Sequence, residues 1–399
     1  MDAPASLPPS AAPPRHRWWN DEHFRGILYQ VLLLAGVTGL GWFLVSNTLA
    51  NLGARHIATG FGFLDREAAF GISEHVIDYT PTDSYFRALL VGLLNTVQVS
   101  LIGIVLATLL GVVIGIARLS SNWLVARLAT VYVEALRNVP LLLQLFLWYA
   151  LITEGLPRAR EALNLFDAVF LSNRGLRIPA LVWDGRAIAV VAAAVVGVIG
   201  SWMLARWSRR RMERTGHYFP VLRGSLGLIF GLPLLVFLVG GASLDFDVPH
   251  LAGFNFAGGS NLTPELAALL IGLTVYTAAF IAEIVRGGIL AVSWGQSEAA
   301  MALGLSRMQV LRLVVLPQSL RVIIPPLTSQ YLNLTKNSTL AVAIGYPDLV
   351  SVANTAINQT GQAVEGVSII MGVYLAIGLA LSLLMNWYNK RIALRGGGR

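Results

Sequence analysis

Residues 287–321 read GGILAVSWGQSEAAMALGLSRMQVLRLVVLPQSLR. This stretch is too polar to cross a bilayer, yet it carries helical spacing twice. Ser297 to Leu303 forms one candidate helix, and Gly304 supplies the left-handed stop that commonly follows one. From Leu305 to Leu316, Met308, Leu311 and Val315 fall on one stripe with Arg307 and Arg312 beside it. Pro317 lacks an amide proton and is expected to end or kink that second helix. The expectation is an elbow: two short helices joined at a glycine, lying on the membrane surface and able to present one helix to another protein.

The chain around the elbow is apolar. Of 399 residues, 55% are hydrophobic and 13% charged, with a mean hydropathy of +0.66. Ordinary soluble domains carry about 25% charged residues. Lipid is therefore the expected solvent for most of this surface. A spanning helix needs about 20 largely apolar residues. Eight segments qualify, at 27–46, 89–117, 128–152, 186–205, 222–241, 264–286, 322–343 and 367–388. The seventh is the most polar, with Gln330, Asn333, Lys336 and Asn337 inside it. Pro140 is expected to kink the third span, and Pro325-Pro326 to disrupt the start of the seventh.

The formal charge of +8 would raise nucleic-acid binding in a soluble protein. Here the arginines sit beside apolar segments and read as a topology signal, so no nucleic-acid partner is expected. Arg15, Arg17 and Arg25 precede the first span, and Arg118 and Arg127 separate the second from the third. Arg206, Arg209, Arg210, Arg211 and Arg214 crowd the fourth loop, and Lys390, Arg391 and Arg395 follow the last span. Eight crossings place all of these on one side, which the positive-inside rule makes cytoplasmic, with both termini there. Segments 242–263 and 344–366 contain neither Lys nor Arg, while loop 153–185 carries four arginines against four acids. Short amphipathic helices are expected in these outer segments. Residues 1–24 read as a disordered cytoplasmic tail without a secretory signal, and 391–399 as a second cytoplasmic tail.

Several chemistries are excluded. The chain has no cysteine, so disulfides and thiolate sites are absent. His16, His23, His56, His75, His217 and His250 all lie outside the apolar runs, which argues against a histidine proton relay or metal site within the membrane. No phosphate loop of the G-x-x-x-x-G-K-[ST] type is present, and neither lysine follows a glycine. No Ser/His, His/Glu or paired-Asp arrangement occurs within a span.

Within the elbow, Glu298-Ala299-Ala300 is followed after three residues by Gly304, and nine residues later by Val314-Val315-Leu316-Pro317. This spacing resembles the Glu-Ala-Ala motif of ABC importer permeases, departing only by Val for Ile before the Leu-Pro. Asn95-Thr96-Val97-Gln98, the run from Tyr132 to Gln144, Ala282-Glu283-Ile284-Val285-Arg286-Gly287-Gly288 and Lys336-Asn337-Ser338-Thr339-Leu340 resemble the polar amino-acid branch of that family. The likeness covers 85–155 and 262–390, and 156–261 stands as an insertion carrying two further spans. The resemblance implies an all-α polytopic membrane protein in the inner membrane of a bacterium, with a five-helix permease core and a cytoplasmic coupling loop. It also implies a cytoplasmic ATPase dimer docked on Glu298, Ala299, Ala300, Gly304, Leu316 and Pro317, a second and paralogous permease subunit, and a periplasmic amino-acid-binding protein. ATP and Mg would reside in the ATPase, leaving this chain without cofactor, metal or catalytic residue.

Polar groups inside the spans need a reason, because an ionised residue at mid-bilayer costs about 2.5–3.5 kcal/mol. Lys336, with Asn333, Asn337, Ser338 and Thr339, forms a polar patch that would suit a substrate carboxylate. The same lysine could instead snorkel outward or mark a break in the span. Asn95, Thr96, Gln98 and Gln144 have two readings as well, as lining of the pathway or as hydrogen bonds between helices. Glu134 with Arg137, and Glu283 with Arg286, are spaced as i,i+3 pairs. A secondary transporter or channel for small polar solutes is the alternative function; it would transport without an ATPase.

Overall fold

A computed structural model describes residues 22–54, 59–181, 185–216, 219–239, 246–253 and 255–392. Most of the expected N-terminal tail and residues 393–399 lie outside this range. The last helix runs on to Ile392, past the expected end of the membrane domain at 390.

The helices are α1 (Glu22–Ala54), α2 (Tyr85–Ala117), α3 (Trp123–Asn138), α4 (Leu141–Thr153), α5 (Gly185–Thr215), α6 (Val221–Leu226), α7 (Leu232–Val239), α8 (Pro264–Leu290), α9 (Trp294–Ala302), α10 (Arg307–Val310), α11 (Leu316–Asn337), α12 (Leu349–Thr360) and α13 (Ala363–Ile392). Polar side chains start several of them. Ser84 accepts from the Arg87 amide at α2, Asn122 from Leu124 and Val125 at α3, and Thr263 from Leu266 at α8. Each satisfies an orphan amide of the first turn.

The core packs α2 against α8, with α3, α4, α11, α12 and α13 around them. Small residues set the approach of α2 and α8. A Cβ on Gly111 would lie 2.6 Å from Ile281 Cβ, and one on Gly115 2.8 Å from the Ala282 carbonyl oxygen. Without hydrophobic drive between helices in lipid, such close backbone contact supplies dispersion energy that larger side chains would forbid. The helix α1 shows only exposed side chains along its described length.

Among the described residues, seven helices are long and apolar enough to cross a membrane, or eight if α3 and α4 form one broken span. The kink expected at Pro140 in the third span over 128–152 is a sharp break: the axes differ by 106° at Val139-Pro140. Both residues are extended, as a residue preceding proline favours. Gln144 Nε2 donates to the Leu136 and Val139 carbonyls, each at 3.0 Å, satisfying acceptors that the break frees.

The seventh span also differs from expectation. Helix continues from Arg307 to Ile344. It contains a π turn over Leu311–Val315 just before Pro317, and a 3-10 stretch over Ser338–Ile344. Leu316 N donates to Leu311 O, so the widened turn carries the chain past a proline expected to end or kink the helix. Pro325 and Pro326 sit inside α11 on its exposed side, rather than disrupting the beginning of a span.

Among the described residues, the outer segments 153–181 and 246–263 fold largely as strands where amphipathic helices were expected, while α12 fits that expectation. The strands are β1 (Leu163–Leu165), β2 (Val169–Ser172), β3 (Gly175–Ile178), β4 (Ala180–Leu181), β5 (Phe246–Asp247), β6 (His250–Ala252), β7 (Asn255–Ala257) and β8 (Ser260–Leu262). One sheet has the order β1-β2-β3-β8, while β4 pairs with β5 and β6 with β7. All pairs are antiparallel. Gly175 is held at φ +99°, and a Cβ there would approach the Leu262 carbonyl oxygen to 2.1 Å, so β3 meets β8 only through glycine.

These pairings set the topology. Because β3 joins β8 and β4 joins β5, the segments before α5 and after α7 lie on one face. The helices between them, α5 and α6–α7, pack on each other as a hairpin that leaves and returns. Further bonds gather the other loops to the same face. Gly60 N donates to Glu365 Oε1 at 2.6 Å, Thr263 N to Glu74 Oε1 at 3.3 Å, and Asn95 Nδ2 to the Glu74 and Pro347 carbonyls at 2.9 Å. Residues 291–306 lie at the opposite end of α8, on the elbow face.

Candidate functional site

The first helix and the glycine joint of the elbow form as the sequence predicts, whereas the second helix runs on into α11 instead of stopping at Pro317. The α9 helix closes with Gly304 at φ +82°, where Gly304 N donates to Met301 O at 2.9 Å and Leu305 N to Ala300 O at 3.2 Å. This is a Schellman closure. The next turn opens with a capping box: Ser306 N donates to Gln309 Oε1 at 2.8 Å, and Gln309 N to Ser306 Oγ at 3.4 Å. Glu298 accepts from Trp294 Nε1 at 2.8 Å, and Ala300 and Val310 are both buried. Ala299 and Gly304 are exposed, while Leu316 and Pro317 lie beyond the π turn at the start of α11.

The outer surface of the elbow is apolar. Leu303 is 84% exposed and Met308 70%, and a cavity of about 420 Å³ beside them is lined by Trp294, Ser297, Met301, Arg307 and Val310. A projecting leucine and methionine next to a notch make a surface built for contact. At the base of α8, Glu283 accepts from Arg286 and also from Arg118 at the end of α2. The sequence signalled the first partner by spacing; nothing signalled the second, which comes from tertiary packing. The expected Glu134–Arg137 pair does not form: the Arg137 guanidinium lies 5.1 Å from the Phe280 ring centroid instead.

The polar groups of the spans divide in two. Asn95 is buried and bonded to two carbonyls; Thr96 Oγ1 donates to Gly92 O at 2.9 Å and accepts from Leu349 N at 3.0 Å. With Gln144 at the α3–α4 break, these side chains hold backbone. Ser338 Oγ donates to Thr335 O and Thr339 Oγ1 to Lys336 O. Gln98 is half-buried. Asn333 and Asn337, by contrast, line an open pocket of about 270 Å³ with Gln330, Tyr276, Thr277 and Phe280. Lys336 is exposed on the same helix, outside that lining. Sequence reading noted Gln330 as polar within a span without assigning it to a site; it missed the contribution of α8, whose Tyr276, Thr277 and Phe280 look like ordinary interior residues.

On the loop-rich face, Asp348 is fully buried and caps α12 by accepting from Ser351 N at 2.9 Å. Burial pushes its carboxyl from an ordinary 3.8 up to about 6, with the backbone amides opposing that shift. Among the described residues, no three His, Cys, Asp or Glu side chains group as metal ligands.

A bundle of helices fit to cross a membrane, with an exposed helical elbow at one end, defines a polytopic membrane protein. Residues 218–394 match the family described as binding-protein-dependent transport system inner membrane component. The chain is 53% identical to the permease protein YhdX of Escherichia coli strain K12 over 371 residues, covering 93% of this chain and 94% of that one. It is 51% identical to the general L-amino acid transport system permease protein AapQ of Rhizobium johnstonii, covering 94% of each. It is 43% identical to the glutamate/glutamine/aspartate/asparagine transport system permease protein BztB of Rhodobacter capsulatus, covering 98% and 99%. The chain belongs to this family of inner-membrane ABC transporter permeases, whose members carry the Glu-Ala-Ala motif. It is a multi-pass inner-membrane permease subunit.

Proposed function

We propose that this chain is one membrane subunit of an importer that moves polar L-amino acids into the cytoplasm, driven by separate ATPase subunits. The observation that carries the reading is the elbow, which exposes Leu303 and Met308 on the face opposite the sheets. A cytoplasmic ATPase dimer seats on Glu298–Gly304, with Leu316 and Pro317 at the root of the elbow. ATP and Mg stay in that dimer, and this chain performs no hydrolysis. ATP binding favours one arrangement of the bundle over the other and so alternates access. A periplasmic binding protein delivers cargo to the loop-rich face, and a second, paralogous permease completes the pathway. Both termini lie in the cytoplasm, with 85–155 and 262–390 as the transport core and 156–261 as an insertion.

The cargo reading is supported by the relatives that act on L-amino acids and by the amide-lined pocket. Gln330, Asn333 and Asn337 offer donors and acceptors to a zwitterion, Arg137 against the Phe280 ring brings a cation to the lining, and Lys336 stands exposed on the same helix as the amides.

The test is reconstitution of this chain with its partner permease, with and without the ATPase. Accumulation of labelled glutamate or glutamine against a gradient only when ATPase and ATP are present is the expected result. Uphill uptake without the ATPase would instead support the secondary-transporter reading.

A further inference from the structure

The helix α5 is longer than a bilayer is thick. Its 31 residues extend about 46 Å at 1.5 Å per residue, against a hydrocarbon core of roughly 30 Å. Its beginning is tied to the loop-rich face, because β4 pairs with β5 just before it. Its last turns therefore project past the hydrocarbon on the elbow face. Those turns read Arg206-Trp207-Ser208-Arg209-Arg210-Arg211-Met212-Glu213-Arg214, five arginines against one acid.

Trp202 and Trp207 are 53% and 48% exposed, and both carry an arginine over the ring. Arg206 lies 3.6 Å above Trp202, and Arg211 lies 5.1 Å from Trp207. Among the described residues none of the five arginines forms an ion pair with a carboxylate. Fixing topology requires only positive charge; it does not require guanidinium groups laid flat on exposed indoles. Indole rings settle at the headgroup level of a membrane. A guanidinium stacked there keeps its N–H fork free in the plane, where it matches two phosphate oxygens.

We propose that the C-terminal turns of α5 bind the phosphodiester headgroups of anionic phospholipids. Trp202 and Trp207 set the depth of the site, Arg206 and Arg211 are pre-oriented by the rings, and Arg209, Arg210 and Arg214 add charge. The site would anchor the insertion hairpin, which packs chiefly on itself.

The test uses the full chain purified with its partner subunits, so that lipid retention is read independently of the transport function proposed above. Native mass spectrometry should show phosphatidylglycerol retained over phosphatidylcholine. Arg209→Gln, Arg210→Gln, Arg211→Gln and Arg214→Gln together should lower the preference for vesicles containing about one quarter phosphatidylglycerol by roughly fivefold per arginine removed. Because arginine loss can invert a hairpin, a second variant with Lys at the same four positions preserves charge and orientation; it should keep the share of the preference that charge supplies and lose the share supplied by the stacked Arg211 fork. Labelling at Met212→Cys, in a chain without other cysteines, checks orientation. Equal retention of the two lipids by the wild-type complex would overturn the proposal. So would an equal response to inorganic phosphate in phosphatidylcholine vesicles, or release of the ATPase from the Gln variant with lipid retention unchanged.

Discussion

Arg118, at the end of α2, donates from its guanidinium to the Glu283 carboxylate in α8 across 165 residues of sequence. Glu283 holds Arg286 one turn further along as well. One carboxylate therefore neutralises part of two cations at the point where α2 and α8 end beside the elbow. Glu283→Gln leaves both guanidinium groups short of a partner, and Arg118 is only 13% exposed. The expected cost is about 1–3 kcal/mol, discounted because Glu283 is about one-third solvated. Thermal unfolding in detergent measures it, and exchanging the charges as Arg118→Glu with Glu283→Arg should recover part of the loss.

Gly111→Val should weaken the core more than any change on α1. The added Cβ meets Ile281 at 2.6 Å and the Ala278 carbonyl oxygen at 3.0 Å, both on a packed helix. Overpacking of this kind costs about 1–3 kcal/mol. Gly39→Ala, with nothing within 4 Å, is the neutral control. Expression of folded protein, followed by size-exclusion chromatography, separates the two.

Asp348 predicts a pH dependence whose sign is fixed by burial. A carboxyl whose folded pKa of about 6 exceeds its ordinary 3.8 favours the protonated folded state. Its contribution is therefore greatest below about pH 4 and is lost as pH rises through 6, amounting to about 3 kcal/mol at one pKa unit per 1.36 kcal/mol. Asp348→Asn keeps an N-cap and removes the charge. The variant should melt higher than wild type at pH 7.5 and show a flatter profile between pH 4 and 6. Glu74, also raised by burial, leaves a residual slope of the same sign.

Gly304→Ala tests the elbow without touching any contact, since nothing lies within 4 Å of its missing Cβ. At φ +82° an alanine pays about 1–2 kcal/mol. Substrate-stimulated ATPase activity should fall while the bundle stays folded. Gly304→Asn should be milder, because asparagine visits the left-handed region.

Lys336→Ala should spare assembly and lower uptake. If the ammonium meets a substrate carboxylate, the lost charge-assisted bond is worth about 1.5–3 kcal/mol, which is tenfold or more in apparent affinity. Initial uptake rates over a range of glutamate concentrations at matched expression decide it, and an unchanged curve would leave Lys336 a structural residue.

The features legible in the sequence are those written in local chemistry. Long apolar runs located the helices, Gly304 announced a stop, and the Glu298-to-Pro317 spacing carried the family, while the Ser306 cap that opens the next turn went unread. What escaped depends on contacts between distant segments. The strands are two to four residues long, too short for alternation to show, and β3 finds β8 across more than eighty residues. The prolines misled in both directions. Pro140, expected to bend a span, breaks it by 106°, whereas Pro317 and Pro325-Pro326, expected to interrupt helix, are carried within it. The local rule gives a proline's cost; neighbouring turns and exposure decide whether the helix survives it. Likewise the carbonyls that Asn95 and Gln144 bond come into view only with the fold.

The unbroken helical path from Arg307 to Ile344 has a mechanical consequence. Met308 on the elbow and Asn333 in the amide pocket belong to one shaft, 25 residues apart, which at 1.5 Å each is about 38 Å. A tilt imposed on one end must swing the other, with no relay of side chains between them. The π turn and the paired prolines mark where that shaft can flex, so stiffness at Leu311–Val315 and Pro325-Pro326 sets how much of a push at the surface arrives as displacement in the pocket.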